Sequence, residues 1–199
     1  MDYDFPTPRG FFLLAVLFEG GLGVMAVVLG WALGCRPVGE TIRWTLPAAA
    51  WGAAAALPAL GLLWFCLKCP LKPFVEIVRV VDELLVPLFR HLRLPELAAI
   101  SIVAGLGEEM LFRGVIQEAV ADRVGREPGV WIGLAVASLL FGLAHPITRT
   151  YALLAALIGL YLGWLWIATG NLLVPIATHA VYDFLALVYL VKIRSVSGI

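Results

Sequence analysis

Long apolar blocks separated by short polar stretches set the pattern of this chain. Apolar residues dominate about 11–34, 46–67, 96–118, 129–145, 150–168 and 172–191. A helix rises 1.5 Å per residue, so about 20 apolar residues cross a hydrocarbon layer ~30 Å thick. The pattern therefore predicts six transmembrane helices. The stretch between 70 and 94 differs. Pro70, Pro73, Pro87 and Pro95 punctuate it, and Lys72, Glu76, Arg79, Asp82, Glu83, Arg90 and Arg93 alternate with apolar residues. Phe74, Ile77, Val78, Val81, Leu84 and Leu85 recur at three- and four-residue steps, which gives one apolar helical face. An interfacial amphipathic helix is predicted there. The last two blocks are joined only by Thr169-Gly170-Asn171, which implies adjacent antiparallel helices. The expected fold is all-α: a polytopic transmembrane bundle of about six spans plus an interfacial helix, forming one membrane-embedded domain over 1–199.

Composition agrees. Hydrophobic residues make up 62% of the chain and charged residues 14%, against roughly 45–50% and 25% in soluble domains. Mean hydropathy is +0.97. Net charge is zero, so no global basic field points to nucleic acid. Cys35, Cys66 and Cys69 make no disulfide framework. Cys66-Leu-Lys-Cys69 has CxxC spacing, but without a second pair or a histidine cluster it reads as incidental. The stretch Met1 to Gly10 lacks a small-residue cleavage site and precedes a run long enough to span, so no cleaved signal peptide is expected.

Six spans put both termini on one side. That side then holds nine of the fourteen Lys and Arg residues (Arg9, the five between 68 and 93, Arg149, Lys192 and Arg194). Four lie opposite (Arg36, Arg43, Arg123, Arg126), with Arg113 inside a span. The positive-inside rule places both termini in the cytoplasm. Trp31, Trp44, Trp131, Trp164 and Trp166 fall near the outer ends, and Trp64 near an inner one, as an interfacial belt requires.

Ionisable residues inside spans cost on the order of 2.5–3.5 kcal/mol each and need a reason. The third block holds Glu108, Glu109 and Arg113. Arg113 follows Glu109 by four residues, so the two share a face and can pair, acid first. Glu108 is rotated by about 100° and faces another wall of the bundle. A structural ion pair explains Glu109 with Arg113 but not the extra Glu108. Two of the three histidines also lie in spans, whereas His91 lies among charges beside Arg90 and reads as a solvated or headgroup residue. His145 ends the fourth block and precedes Pro146, where the helix should break and free the imidazole to face a cavity. His179 and Asp183 are four residues apart on one face of the sixth. Convergence of these groups on one polar pocket is cheaper than burying each alone.

Such a pocket supports two chemistries. Glu108 with a histidine could hold and deprotonate a water, then return the proton to a leaving amine, while the second histidine stabilises an oxyanion. Alternatively Glu108, His145, His179 and Asp183 would form a His₂-carboxylate zinc set with an open position for water. No serine or cysteine has a nucleophile's context. Ser101 and Ser138 lie in spans without a glycine elbow and read as helix-packing residues.

Glu108-Glu109-x-x-x-Arg113, Phe141-x-x-x-His145 and His179-x-x-x-Asp183, in this order on consecutive apolar helices, resemble the signature of the CAAX protease and bacteriocin-processing family. That family includes the eukaryotic Ras-converting endopeptidases. The resemblance covers about 95–192, which it marks as a catalytic core behind the N-terminal spans and interfacial helix of about 1–94. It implies an intramembrane endopeptidase acting on membrane-associated or lipidated peptides or proteins. By position, Glu108 and His145 would activate the water, Glu109 and Arg113 would support the site, and His179 with residue 183 would polarise the scissile carbonyl. The favoured family mechanism is metal-free, with zinc the older alternative. Residue 183 is aspartate here, where the eukaryotic pattern has asparagine. An ionised aspartate cannot donate to an oxyanion, so Asp183 would orient His179, be protonated, or ligate a metal. The aspartate form and the small size imply a bacterial inner-membrane protein, whose relatives are linked to peptide maturation, bacteriocin immunity and signalling. The competing functions are a non-enzymatic immunity or scaffold protein and an ion-coupled transporter; 199 residues without an inverted repeat are short for the latter.

Overall fold

The computed structural model describes residues 7–194, with the side chain of Arg126 excepted, and every regular element in it is helical. The first six residues, and with them the reading of an uncleaved start, lie outside the described residues, as do 195–199.

Helix α1 spans Pro8–Ala32. Its start is written in the sequence: the Thr7 side chain accepts from Gly10 N at 3.2 Å and Pro8 occupies the first helical position, where a missing N–H costs nothing. A short helix α2 (Val38–Thr41) leads to α3 (Leu46–Ala55) and α4 (Leu57–Lys68), a nearly continuous rod that turns at Ala56, just before Pro58. Helix α5 (Lys72–Val80), a π-helical stretch Val81–Leu85 and α6 (Val86–Phe89) form the expected amphipathic segment. Ile77 and Val81 are buried on its inner side, while Lys72, Glu76, Arg79, Asp82 and Glu83 face outward. Leu84, expected on the apolar face, is 57% exposed, because the wide π-turn shifts the residues after Val81 off the α-helical register.

Helix α7 (Leu94–Leu111) runs through a second π-helical stretch, Phe112–Gln117, into α8 (Glu118–Val124). Helix α9 covers Arg126–Leu143, α10 Arg149–Thr169 and α11 Leu173–Val188, which continues as a third π-helical stretch, Tyr189–Arg194. Gly170, at φ +56°, ends α10 in the left-handed conformation that lets the chain reverse into α11.

Among the described residues, four helical stretches are long and apolar enough to cross a membrane: Pro8–Ala32, Leu46–Lys68, Arg149–Thr169 and Leu173–Arg194. The expected third and fourth spans differ. The third carries the Glu108, Glu109 and Arg113 charges, and the fourth has only a short apolar stretch, Glu127–Leu143. At 1.5 Å per residue the 18 residues of α9 reach about 27 Å, short of a full hydrocarbon layer.

Helix α7 is the centre of the bundle, with α1 packed on one side and α11 on another; α11 also lies on α3, and α9 on α10. Small residues make the closest of these approaches, as is usual between membrane helices. A Cβ at Gly105 would stand 3.0 Å from the Ile176 carbonyl oxygen and the Ala180 nitrogen of α11. A Cβ at Gly107 would run into the Glu19 carbonyl oxygen of α1. Ser101 and Ser138 are buried and return their hydroxyls to Leu97 O and Leu134 O, at 2.9 and 2.7 Å, as packing residues do. Trp31, Trp44, Trp64, Trp131 and Trp164 are exposed as a belt requires. Trp166 is not: it is buried, and its Nε1 donates to Glu118 at 2.7 Å.

Candidate active site

The six residues singled out in the sequence come together where α7, α9 and α11 meet. Glu109 and Arg113 lie deepest, both fully buried, with Arg113 Nη1 donating to Glu109 Oε1 at 3.1 Å. The π-helical stretch that holds Arg113 widens the helix at this point, a distortion found often at functional sites. Arg113 Nη2 donates to the Gly159 carbonyl of α10 at 3.0 Å, and the guanidinium stands 4.5 Å from the centre of the Phe141 ring. An arginine held by three helices at once is a fixed part of the scaffold.

The same Glu109 oxygen receives His179. Its Nδ1 donates to Oε1 at 2.9 Å, and its Nε2 lies 3.4 Å from Asp183 Oδ2, one helical turn further along α11. Both ring nitrogens thus face carboxylate oxygens, and only the imidazolium donates from both. Asp183 thus faces His179 on the same helix face.

Glu108, one step round the helix from Glu109, faces elsewhere. It is 7% exposed and lines a cavity of about 400 Å³ together with His145, His179 and Asp183. Its Oε2 has no hydrogen-bond partner among the described residues and lies 3.8 Å from His145 Nε2. That gap is too long for a direct hydrogen bond, yet a single oxygen atom could stand about 2.8 Å from both.

His145 reaches this point because α9 stops early. The helix ends at Leu143, Pro146 prevents its continuation, and the imidazole turns back over the last turn. Its Nδ1 donates to the Phe141 carbonyl at 2.7 Å. A carbonyl only accepts, so the proton of the neutral ring is on Nδ1 and the lone pair on Nε2 faces Glu108.

Most of the cavity's remaining lining is apolar. Ile77, Val78 and Val81 of the amphipathic segment, Leu62 and Leu63 of α4, and Leu154 of α10 line it. Tyr151 and Tyr182 also line it. Sequence reasoning missed both tyrosines, which carry no spacing signal. It noted Glu19 only as a charge interrupting the first block; here Glu19 lines the same cavity as Glu108.

The remaining candidates lie apart from this chemistry. His91 is exposed and accepts from Arg90 Nε at 2.9 Å. Cys35, Cys66 and Cys69 are free thiols. No group of three or more His, Cys, Asp or Glu among the described residues is arranged to hold a metal ion. Of the alternative zinc set, both His179 nitrogens face carboxylate oxygens, whereas His145 Nε2 and Glu108 Oε2 face each other across the cavity wall.

Residues 90–185 match the family model described as type II CAAX prenyl endopeptidase Rce1-like. An Escherichia coli protein described as an uncharacterized 24.3 kDa protein is 29% identical over 174 residues, covering 84% of this chain and 75% of that one. No solved structure matches. The matched segment contains Glu108, Glu109, Arg113, His145, His179 and Asp183, and ends before the third π-helical stretch.

Proposed function

We propose, on the match of residues 90–185 to the Rce1-like family of type II CAAX prenyl endopeptidases, that this membrane protein hydrolyses peptide bonds with a water activated by Glu108 and His145. One observation carries the mechanism: two acceptors, Glu108 Oε2 and His145 Nε2, face each other 3.8 Å apart at the wall of one cavity. Two lone pairs cannot bond each other. A water that donates one hydrogen to each satisfies both and is left with its own lone pairs for attack.

The reaction then runs on the chain's own side chains. The water oxygen adds to the scissile carbonyl carbon as its proton passes to the Glu108–His145 pair. Negative charge gathers on the former carbonyl oxygen, where His179, held in place by Glu109 and Asp183, supplies the positive electrostatic partner. Collapse breaks the C–N bond, the proton returns to the departing nitrogen, and the products are a carboxylate and an amine. Glu109 and Arg113 touch no substrate in this scheme; they fix the helices that carry the reacting groups. The substrate is a membrane-associated or lipidated peptide or protein, and the apolar lining from α4, α5 and α10 suits such a chain.

Around this core we place six spans, with α7–α8 and the short α9 completing the four long ones. Both termini lie in the cytoplasm of a bacterial inner membrane, and the α5–α6 segment lies along the interface. The test is reconstitution of the full chain in vesicles with a membrane-anchored peptide, read by mass spectrometry. One matched pair of fragments, with a new carboxyl and a new amino end, is expected. Proton or ion flux without cleavage would instead identify a carrier, and neither activity would favour a binding protein.

A further inference from the structure

We propose that the Tyr151 hydroxyl is the hydrogen-bond donor to the oxyanion that forms when water adds to the scissile carbonyl. The inference rests on the hydrolytic reading given above and adds to it a catalytic residue that the sequence motifs do not contain.

The site is short of donors. A tetrahedral intermediate gathers its charge on one oxygen, and donors aimed at that oxygen are usually the largest single contribution to such catalysis. His179 carries positive charge, yet its Nδ1 bonds Glu109 Oε1 at 2.9 Å and its Nε2 faces Asp183 Oδ2 at 3.4 Å. Both N–H groups of the imidazolium are therefore directed at carboxylates rather than into the cavity. His145 donates from Nδ1 to the Phe141 carbonyl at 2.7 Å and presents only a lone pair at Nε2. Ionised Glu19, Glu108 and Asp183 only accept. Thr178, also in the lining, returns its hydroxyl to the Gly52 and Val174 carbonyls, each at 2.9 Å. Tyr161 donates to the Ala55 carbonyl at 2.8 Å, and Cys66 offers only a weak S–H. Two polar side chains of the lining remain. They are Tyr151 and Tyr182, whose hydroxyls bond no protein group among the described residues.

Tyr151 is the one beside the water-activating pair. Its ring centre lies 6.4 Å from that of His145, and Tyr182 has no such ring contact with either buried histidine among the described residues. Local structure fixes this placement. Thr148 Oγ1 accepts from Tyr151 N at 3.0 Å, so the helix α10 is capped and Tyr151 stands on its first turn. The next residue packs on the last turn of α9: a Cβ at Gly142 would stand 2.5 Å from the Ala152 carbonyl oxygen. The phenol is thereby held against the turn that carries His145.

As the water oxygen bonds the carbonyl carbon, the C=O π pair moves onto oxygen and the phenol O–H bonds that oxygen. The proton stays on Tyr151 Oη throughout. When the C–N bond breaks, the C=O bond re-forms and the hydrogen bond weakens. Tyr151 stabilises charge and leaves the proton transfers to Glu108 and His145, supplying the donor that an ionised Asp183 lacks.

The experiment compares the full chain with Tyr151→Phe and Tyr182→Phe in the vesicle cleavage assay. It also measures affinity for a membrane-anchored peptide phosphonate, whose tetrahedral P–O⁻ stands in for the oxyanion. Tyr151→Phe removes a hydroxyl that bonds no protein group, so the unfolding temperature should hold. Its kcat should fall about 10²–10³-fold at constant KM, and the phosphonate should lose affinity by a similar factor. Parental kcat in Tyr151→Phe overturns the proposal. So does an unchanged phosphonate affinity while kcat falls, because the hydroxyl then acts elsewhere than on the oxyanion. A loss confined to Tyr182→Phe places the donor on the other tyrosine and overturns it as well. A parent that cleaves nothing overturns the hydrolytic reading and the proposal with it. A cleaving parent with an unimpaired Tyr151→Phe overturns the role of Tyr151 alone, which keeps the two failures apart.

Discussion

His179 donates from Nδ1 to Glu109 Oε1 at 2.9 Å, and that same oxygen accepts from Arg113 at 3.1 Å. One buried carboxylate oxygen therefore ties α11 to α7, and through Arg113 to the Gly159 carbonyl of α10. The reactive groups are presented by helices whose mutual distance is fixed at this atom.

Removing Arg113 tests that tie. Arg113→Met leaves a buried carboxylate with only His179 to neutralise it, and stability should fall by about 3–5 kcal/mol. Glu109→Gln should cost a similar amount, since it leaves the buried Arg113 guanidinium without its counter-charge. Thermal and denaturant unfolding in detergent micelles measure both. A methionine variant as stable as the parent would show that the pair does not hold the helices.

The supporting pair was legible in the sequence, because Glu109 and Arg113 lie four residues apart on one helix and that spacing survives the π-helical stretch beginning at Phe112. His179 with Asp183 was legible for the same reason. The 3.8 Å approach of His145 to Glu108 was not: it depends on how far α9 extends, and only the Pro146 break hinted that the helix would stop inside the bundle. Glu19 was visible as a misplaced charge, yet no local spacing could connect the first helix to the seventh. That connection is made by the Gly107 approach, which is tertiary. Trp166 was misassigned to the belt because position along a span does not say which face a residue takes; it faces inward to Glu118.

His145 lies at a helix end with its side chain 26% exposed, so His145→Ala should leave the fold intact. Cleavage should nevertheless drop about 10²–10⁴-fold, the usual worth of a general base. Fragment yield per unit time, set against an unchanged unfolding temperature, checks it. Equal loss of both would make His145 merely structural.

Asp183 is placed to accept from His179 Nε2 at 3.4 Å. In Asp183→Asn the side-chain oxygen still accepts and the amide can face the developing oxyanion, so cleavage should remain within about tenfold of the parent. In Asp183→Leu, which cannot orient the ring, it should fall about 100-fold. Steady-state rates of the two variants decide the matter, and equal loss in both would mean that the negative charge itself is needed.

Gly142 sets the distance between α9 and α10. A Cβ there would meet the Ala152 carbonyl oxygen at 2.5 Å and the Ala156 Cβ at 2.7 Å. Gly142→Val should force the hairpin open beside His145, lowering stability by about 1–3 kcal/mol and activity with it. Chemical denaturation and cleavage rates on one preparation test the coupling.

A chelator should leave cleavage unchanged, since the proposed reacting pair needs only water. Elemental analysis before and after treatment is the check. Stoichiometric zinc, lost together with activity, would require a different ligand arrangement from the one seen.

The most direct measurement is the cleavage rate of Glu108→Gln in vesicles with a membrane-anchored peptide. Glutamine keeps the size and the buried position of Glu108 but cannot take a proton from water. The rate should fall at least about 10²–10⁴-fold while the protein inserts, purifies and unfolds as the parent does. A glutamine variant that cleaves at the parental rate would remove Glu108 from the chemistry and contradict the mechanism outright.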